Sequence, residues 1–285
     1  MVTEAAIDAA HAAFAEAGGE VGAINWLNPG VAADIELFGL PLDRAREVGH
    51  RLSDALALDV AVQPVAHRKK KLLVADMDST IITVECIDEI ADMVGMKEKV
   101  AKITEAAMRG ELDFIGALNE RVAMLKGLDV AALEKVYADR VRLTPGARAL
   151  IQTMNANGAT TVLVSGGFTF FTDRVAAAAG FKVARANTLE IVSGKLTGKV
   201  TPPIVDSATK KATLQEFAAQ LDGGVAAALA LGDGANDIPM IEAAGLGVAF
   251  YAKPKTAAAA DVAIRYGDLT AVLYLQGYKR EDFKL

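Results

Sequence analysis

The 285-residue chain has a single cysteine and only three histidines, and these shortages close off whole classes of protein. Cys86 alone cannot form an intramolecular disulfide, and His11, His50 and His67 are too scattered to join it in a zinc site. A reduced, cytoplasmic setting is the expectation. Basic charge is also short. Lys and Arg number 30 against 36 Asp and Glu, a net charge of −6, so no general basic face is expected for nucleic acid or an anionic membrane. Long apolar runs are missing as well: Val225 to Leu231 falls far below the ~18 residues of a membrane span. Acidic Glu4 and Asp8 stand where a signal peptide needs a basic start. What the chain has in quantity is apolar residues, 52%, ample for a sizeable core. At roughly 150 residues per domain, its length fits two domains, or one large domain with an insertion or appendage.

The first third reads as a small separate unit. A helix is predicted over residues 3–17 with Thr3 as its cap, then strands over 21–26 and 31–38, a helix over 42–55 and a strand over 58–62. A complete ferredoxin-like unit begins with one more strand. Residues 1–66 are therefore expected to form a truncated ferredoxin-like α+β domain with an unpaired edge, and dimerisation through this unit is one way to supply the missing strand. Arg68-Lys69-Lys70-Lys71 reads as part of a solvated linker.

From residue 72 short apolar strands alternate with helices, at 72–75, 161–164, 225–231 and 246–250, with helices over about 146–158, 168–180, 207–220 and 236–244. Continuous apolar strands of this kind are buried on both faces, and the alternation predicts a doubly wound, Rossmann-like α/β sheet. Residues 86–143 interrupt it with helical spacing and no strand signal, an insertion suited to cover the strand ends, where such sheets bind ligands. Residues 187–200 read as a β-hairpin turning at Ser193-Gly194.

The strand ends carry the chemistry. The first runs into Asp76-Met77-Asp78-Ser79-Thr80. Two carboxylates so close at the end of a buried strand need a compensating cation. The second ends in Ser165-Gly166-Gly167 before a helix, a hydroxyl and free N–H groups suited to an anion. A later one ends in Gly232-Asp233-Gly234-Ala235-Asn236-Asp237. Carboxylates beside an anion site suit a hard, oxygen-seeking ion such as Mg²⁺ that also binds phosphate. Lys210, at the start of a helix, could add positive charge.

These ordered features make residues 70–275 resemble the haloacid-dehalogenase-type phosphatase superfamily and, within it, the phosphoserine phosphatases. The narrower likeness rests on Glu85, on Met108-Arg109-Gly110-Glu111-Leu112-Asp113-Phe114 and on Arg121-Val122. The N-terminal unit resembles the degenerate small-molecule-binding (ACT-like) domain of some bacterial members, with a regulatory role as its implication. The resemblance implies a catalytic core of residues 67–85 and 144–285 with a helical cap of residues 86–143. It further implies hydrolysis of O-phospho-L-serine, the last step of serine biosynthesis. Asp76 would be the nucleophile and Asp78 the proton donor. Mg²⁺ would sit on Asp76, the Asp78 carbonyl and Asp233, with Asp237 in support. Ser165, Gly166, Lys210 and Asn236 would hold the phosphate, Arg121 the substrate carboxylate and Glu85 its ammonium, with Met108 and Phe114 closing the apolar side. Two alternatives stay open: a phosphotransferase passing the phosphoryl group to an amino-acid alcohol such as homoserine, and a non-catalytic amino-acid sensor. The dehalogenases themselves fit less well, because they have no second catalytic Asp at the Asp78 position.

Overall fold

A computed structural model describes residues 1–109 and 111–284, without the side chain of Met108. The N-terminal unit contains α1 (Glu4–Glu16), β1 (Glu20–Asn28), β2 (Ala32–Phe38) and α2 (Leu42–Leu56). The Thr3 hydroxyl caps α1 by accepting the Ala6 N–H at 3.2 Å. Ala10 and Phe14 of α1 meet Ala45, Val48 and Leu52 of α2, and the antiparallel β1–β2 pair covers them with Val21, Ile35 and Leu37.

The strand expected over 58–62 does not form. The alternation of Leu58, Val60 and Val62 is strand-like, but the segment joins neither sheet among the described residues. Val60 and Val62 pack on the unit's small core instead. Just before Val60, Asp59 accepts N–H groups of Arg265 (2.7 Å) and Gly267 (2.8 Å). The basic run is not a solvated connection either. Arg68 makes a two-pronged bond to Asp34 at 2.8 and 2.6 Å and donates to the Leu275 carbonyl at 2.9 Å. Lys70 is 5% exposed, its ammonium on the Ala226 carbonyl. This stretch joins the N-terminal unit to the rest of the molecule through a polar seam extended by an Arg46–Asp261 ion pair.

The larger part is built on a seven-stranded sheet. Its strands are β3 (Leu72–Ala75), β4 (Thr160–Phe168), β5 (Val183–Val192), β6 (Lys195–Thr201), β7 (Ala228–Gly232), β8 (Leu246–Phe250) and β9 (Val262–Ile264), in the spatial order β6-β5-β4-β3-β7-β8-β9. Every pairing is parallel except β5–β6, the predicted hairpin. The helices α7 (Ala147–Ala156), α8 (Thr169–Ala179), α9 (Ser207–Ala218), α10 (Ile238–Ala243), α11 (Pro254–Ala259) and α12 (Ala271–Leu275) lie between and after the strands; α3 to α6 belong to the insertion described next. Apolar residues on both faces of the central strands, such as Leu73 and Val74 of β3, feed two separate cores, as a sheet covered on both sides requires.

Two boundaries differ from expectation. β7 begins at Ala228, because Gly224–Ala227 coil into a short 3-10 turn. Ser165-Gly166-Gly167 lies inside β4, which continues to Phe168 because Phe168 pairs with Asn187 of β5 across an irregular register. The insertion is helical, with α3 (Cys86–Asp92), α4 (Lys97–Met108), α5 (Phe114–Ala123) and α6 (Ala131–Arg140). No helix among the described residues is long and apolar enough to cross a membrane.

Candidate active site

β3 lies between β4 and β7, so the carboxyl ends of three adjacent strands deliver Asp76, Ser165 and Asp233 to one crevice. The chain enters β4 on one side of β3 and later crosses to β7 on the other, the reversal of strand order at which open α/β sheets bind their ligands.

After Asp76 the chain leaves the sheet in a wide turn, Met77–Ile81, with Ser79 at a left-handed φ of 54°. That backbone is costly for a residue with a β-carbon. It carries the Ser79 hydroxyl to the Glu85 carboxylate at 2.6 Å, while the Thr80 hydroxyl donates to Asp233 Oδ1 at 3.0 Å. Asp78 accepts the Cys86 N–H on Oδ1 at 2.8 Å and the Ser165 hydroxyl on Oδ2 at 3.3 Å.

Lys210, fully buried on α9, places its ammonium 2.7 Å from Asp76 Oδ1 and 2.7 Å from Asp237 Oδ1. Asp76 Oδ1 also takes the Met77 N–H, which leaves Oδ2 without a protein donor among the described residues. Asp237 uses its second oxygen on the N–H groups of Asp233 and Gly234. Lys210 therefore orients Asp76 and braces the Asp233 loop through Asp237.

The charge balance fits a cation. Buried oxygens of Asp76, Asp233 and Asp237 lie within 4.8 Å of one another, with one ammonium to oppose them. Burial, then Asp237, pushes the Asp233 carboxyl up to about 7. Burial and Asp237 likewise raise Asp76 well above the carboxylate range, against the pull of Lys210. Burial alone would lower Lys210, but the Asp237 and Asp76 carboxylates outweigh it and hold the ammonium charged. Crowded hard oxygens that resist ionisation match the donor set of a divalent ion.

The insertion covers this floor. One cavity is lined by Asp76, Asp78, Ser165, Gly166 and Asn236 from below and by Glu85, Phe114 and Arg121 from the side of the insertion. The Phe114 ring sits so close on Gly166 that a β-carbon there would lie 2.8 Å from its Cζ. A β-carbon on Gly167 would meet Asp78 Oδ2 at 2.8 Å, so both glycines are demanded by close approach. Glu85 is raised well above its usual range by burial and then by Asp78, and it has no ion-pair partner among the described residues. Arg121, 6% exposed, bonds the Ala117 carbonyl and the Thr104 hydroxyl.

Ten of the twelve predicted site residues thus lie at or beside this crevice: all but Met108, whose side chain is outside the described residues, and Asp237, which lies behind it and braces Lys210 and Asp233. Sequence reasoning missed Asn187. This fully buried side chain donates to the Gly166 carbonyl at 2.8 Å and accepts the Val205 N–H at 2.7 Å, pinning the Ser-Gly-Gly segment from behind. Its neighbours in the sequence, Arg185, Thr188 and Glu190, are polar too, so the chain carries no signal that singles it out.

Fold and site together define a hydrolase class: a profile of the haloacid dehalogenase-like hydrolases matches residues 73–242, and the chain belongs to that family. Among relatives, the phosphoserine phosphatase of a Polaromonas species is 47% identical over 229 residues, 79% of this chain and 97% of that one. That of Streptomyces coelicolor is 46% identical over 256 residues, 89% of this chain, which spans 62% of that relative's length. A solved phosphoserine phosphatase, described as a phospho-aspartyl intermediate analogue, superposes with a TM-score of 0.68 at 39% identity, covering 72% of this chain and 98% of that structure.

Proposed function

We propose that the protein is a magnesium-dependent phosphatase that hydrolyses O-phospho-L-serine to L-serine and phosphate through a phosphorylated Asp76. The reading is supported above all by a single cavity with an oriented carboxylate, Asp76, in its floor and an opposed pair of charges, Arg121 and Glu85, in its wall. The named activity of the relatives supports the same substrate.

Asp76 Oδ2 is the oxygen free to attack phosphorus. Lys210 and the Met77 N–H hold the other oxygen, so the carboxylate cannot turn away. As the new O–P bond forms, the bond to the seryl oxygen breaks and Asp78 donates a proton to that oxygen. Burial raises Asp78 towards the protonated form this step needs, against the Cys86 and Ser165 donors. The resulting Asp78 carboxylate then takes a proton from the water that attacks phosphorus, and phosphate leaves Asp76. Ser165, the Gly166 N–H and Asn236 line the space for the phosphoryl oxygens. A donor aimed at charge that develops in the transition state contributes about 3 kcal/mol. Magnesium, held by Asp76, the Asp78 carbonyl and Asp233, would supply charge neutralisation for the phosphoryl oxygens.

The serine moiety offers a carboxylate and an ammonium. Arg121 suits the first through its planar fork, Glu85 the second. Phe114 on Gly166 closes the apolar side, so the cap of residues 86–143 excludes bulk water during transfer. We take residues 1–66 as a further domain docked on the core, with regulation by a small molecule, dimerisation along its open strand edge and a cytoplasmic location as the accompanying expectations.

The test is phosphate release from phosphoserine, phosphothreonine, phosphotyrosine and sugar phosphates, with and without Mg²⁺, for the wild type and Asp76→Asn. Phosphoserine should be turned over best, with Mg²⁺ only, and not by the variant. Turnover surviving Asp76→Asn would remove Asp76 as nucleophile, and failure on phosphoserine would remove the substrate.

A further inference from the structure

Arg121 is held by a chain of side chains that reaches across three cap helices. Its Nε donates to the Ala117 carbonyl one turn back on α5 at 3.0 Å, and an Nη1 hydrogen goes to the Thr104 hydroxyl of α4 at 3.0 Å. Thr104 in turn lies 2.8 Å from Asp88 Oδ1 on α3 and 3.1 Å from the Val100 carbonyl. A hydroxyl has one proton to give, and the nearer, charged acceptor takes it. With its proton committed to Asp88, the buried Thr104 oxygen has only lone pairs to present, and they face Arg121.

The arrangement has a second consequence. Asp88 makes no direct ion pair with Arg121 among the described residues; the hydroxyl stands between them. A carboxylate bound directly to the guanidinium would occupy the fork and compete with a substrate carboxylate for it. With Thr104 interposed, the orienting influence of Asp88 arrives through one N–H only. Three of the five guanidinium N–H groups have no protein partner among the described residues, and the side chain borders the same cavity as Asp76 and Asp78.

We propose that Thr104 and Asp88 are positioning residues that fix the plane of Arg121 and thereby set selectivity for substrates with a carboxylate beside the phosphorylated alcohol. The proposal rests on the assignment of Arg121 to the substrate carboxylate made above. Neither residue touches the reacting atoms, so the effect belongs in substrate choice, as a change in KM more than in kcat.

The test compares O-phospho-L-serine with O-phosphoethanolamine, which keeps the ammonium and the phosphate and lacks only the carboxylate. The ratio of their kcat/KM values is measured with Mg²⁺ for the wild type, Thr104→Val, Thr104→Ser, Asp88→Asn and Arg121→Ala. Thr104→Val should lower the ratio about tenfold through a higher KM for phosphoserine, the loss expected for one hydrogen bond to a charged group. Thr104→Ser should restore it, and Asp88→Asn should lower it by a smaller factor. Asp88→Asn keeps shape and acceptor, so it carries the test if Thr104→Val does not fold. A ratio unmoved in Thr104→Val and Asp88→Asn while Arg121→Ala collapses it would overturn the proposal and leave Arg121 in place. A ratio unmoved in Arg121→Ala would overturn the carboxylate assignment beneath it.

Discussion

Replacing a carboxylate of the proposed metal site is expected to stabilise this protein when no metal is bound. Asp233 is 4% exposed, accepts one hydrogen bond from Thr80 and sits in the field of Asp237. Burial, with Asp237 adding to it, carries its carboxyl from an ordinary 3.8 up to about 7. The folded chain therefore binds this proton more tightly than the unfolded chain does. Between pH 3.8 and about 7 the metal-free protein loses stability as pH rises, the reverse of an ion-paired aspartate. At 1.36 kcal/mol for each tenfold difference in proton affinity, holding the group ionised at pH 8 costs on the order of 4 kcal/mol.

Asp233→Asn keeps an acceptor for Thr80 and removes the charge. In chelator at pH 8 the variant should be the more stable protein, by up to about 4 kcal/mol. At pH 5, where wild-type Asp233 is already neutral in the fold, the advantage should shrink to about 2 kcal/mol. Urea unfolding of both proteins at the two pH values measures this; Asp76 and Glu85, which feel the Asp233 charge, shift with it, and groups outside the cluster cancel in the difference. Saturating Mg²⁺ should invert the order, because only the wild type gains binding free energy on folding. A variant less stable than the wild type in chelator at pH 8, or an offset independent of pH, would refute the reasoning.

Two further perturbations act on the Ser165-Gly166-Gly167 segment, the proposed anion site. Gly166→Ala puts a methyl group 2.8 Å from Phe114 Cζ, so the ring must withdraw and the cap seats imperfectly. The KM for phosphoserine should rise about tenfold, and trimming the ring with Phe114→Leu in the same chain should recover part of it; an unchanged KM for Gly166→Ala would mean the contact does not govern closure. Asn187→Ala strands the Gly166 carbonyl and the Val205 N–H, each worth about 1–3 kcal/mol when buried and unpaired. Thermal unfolding should occur several degrees lower and product phosphate should inhibit more weakly, whereas an unchanged inhibition constant would separate Asn187 from the anion site.

The chemistry was legible at the strand ends because burial and charge collide there. A run such as Leu72 to Ala75 has to be interior, so carboxylates that follow it without a gap cannot all face bulk water. The same reasoning exposed Asp233 after β7. Pattern failed where the partner is remote in sequence. Val60 and Val62 alternate like strand residues, yet a strand is defined by a neighbour's hydrogen bonds, which nothing within 58–62 reveals. Arg68 and Lys70 look like a solvated run until their acceptors, Leu275 and Ala226, are folded beside them. Thr104 and Asn187 are single neutral residues in ordinary surroundings. Their meaning comes from Arg121 and Gly166, to which only the packing of other elements joins them.

In the proposed mechanism two aspartates two residues apart divide nucleophile and acid between them, and their neighbours differ accordingly. Burial raises both. Asp76 has an ammonium at 2.7 Å and shares its oxygen cluster with Asp233 and Asp237, whereas Asp78 receives only neutral donors, the Cys86 N–H and the Ser165 hydroxyl. Without a metal ion, burial and then Asp237 raise Asp76 well above the carboxylate range, against the pull of Lys210. Positive charge added at that cluster favours the ionised form: it acts first on Asp76, whose own oxygens belong to the set, and less on Asp78, whose carboxyl is turned towards Ser165. A metal ion there would favour loss of the proton on the side proposed to attack and leave it on the side proposed to donate. On the proposed mechanism a shared rise in pKa thereby serves two distinct roles, and a site in a chain of net charge −6 receives a phosphate dianion.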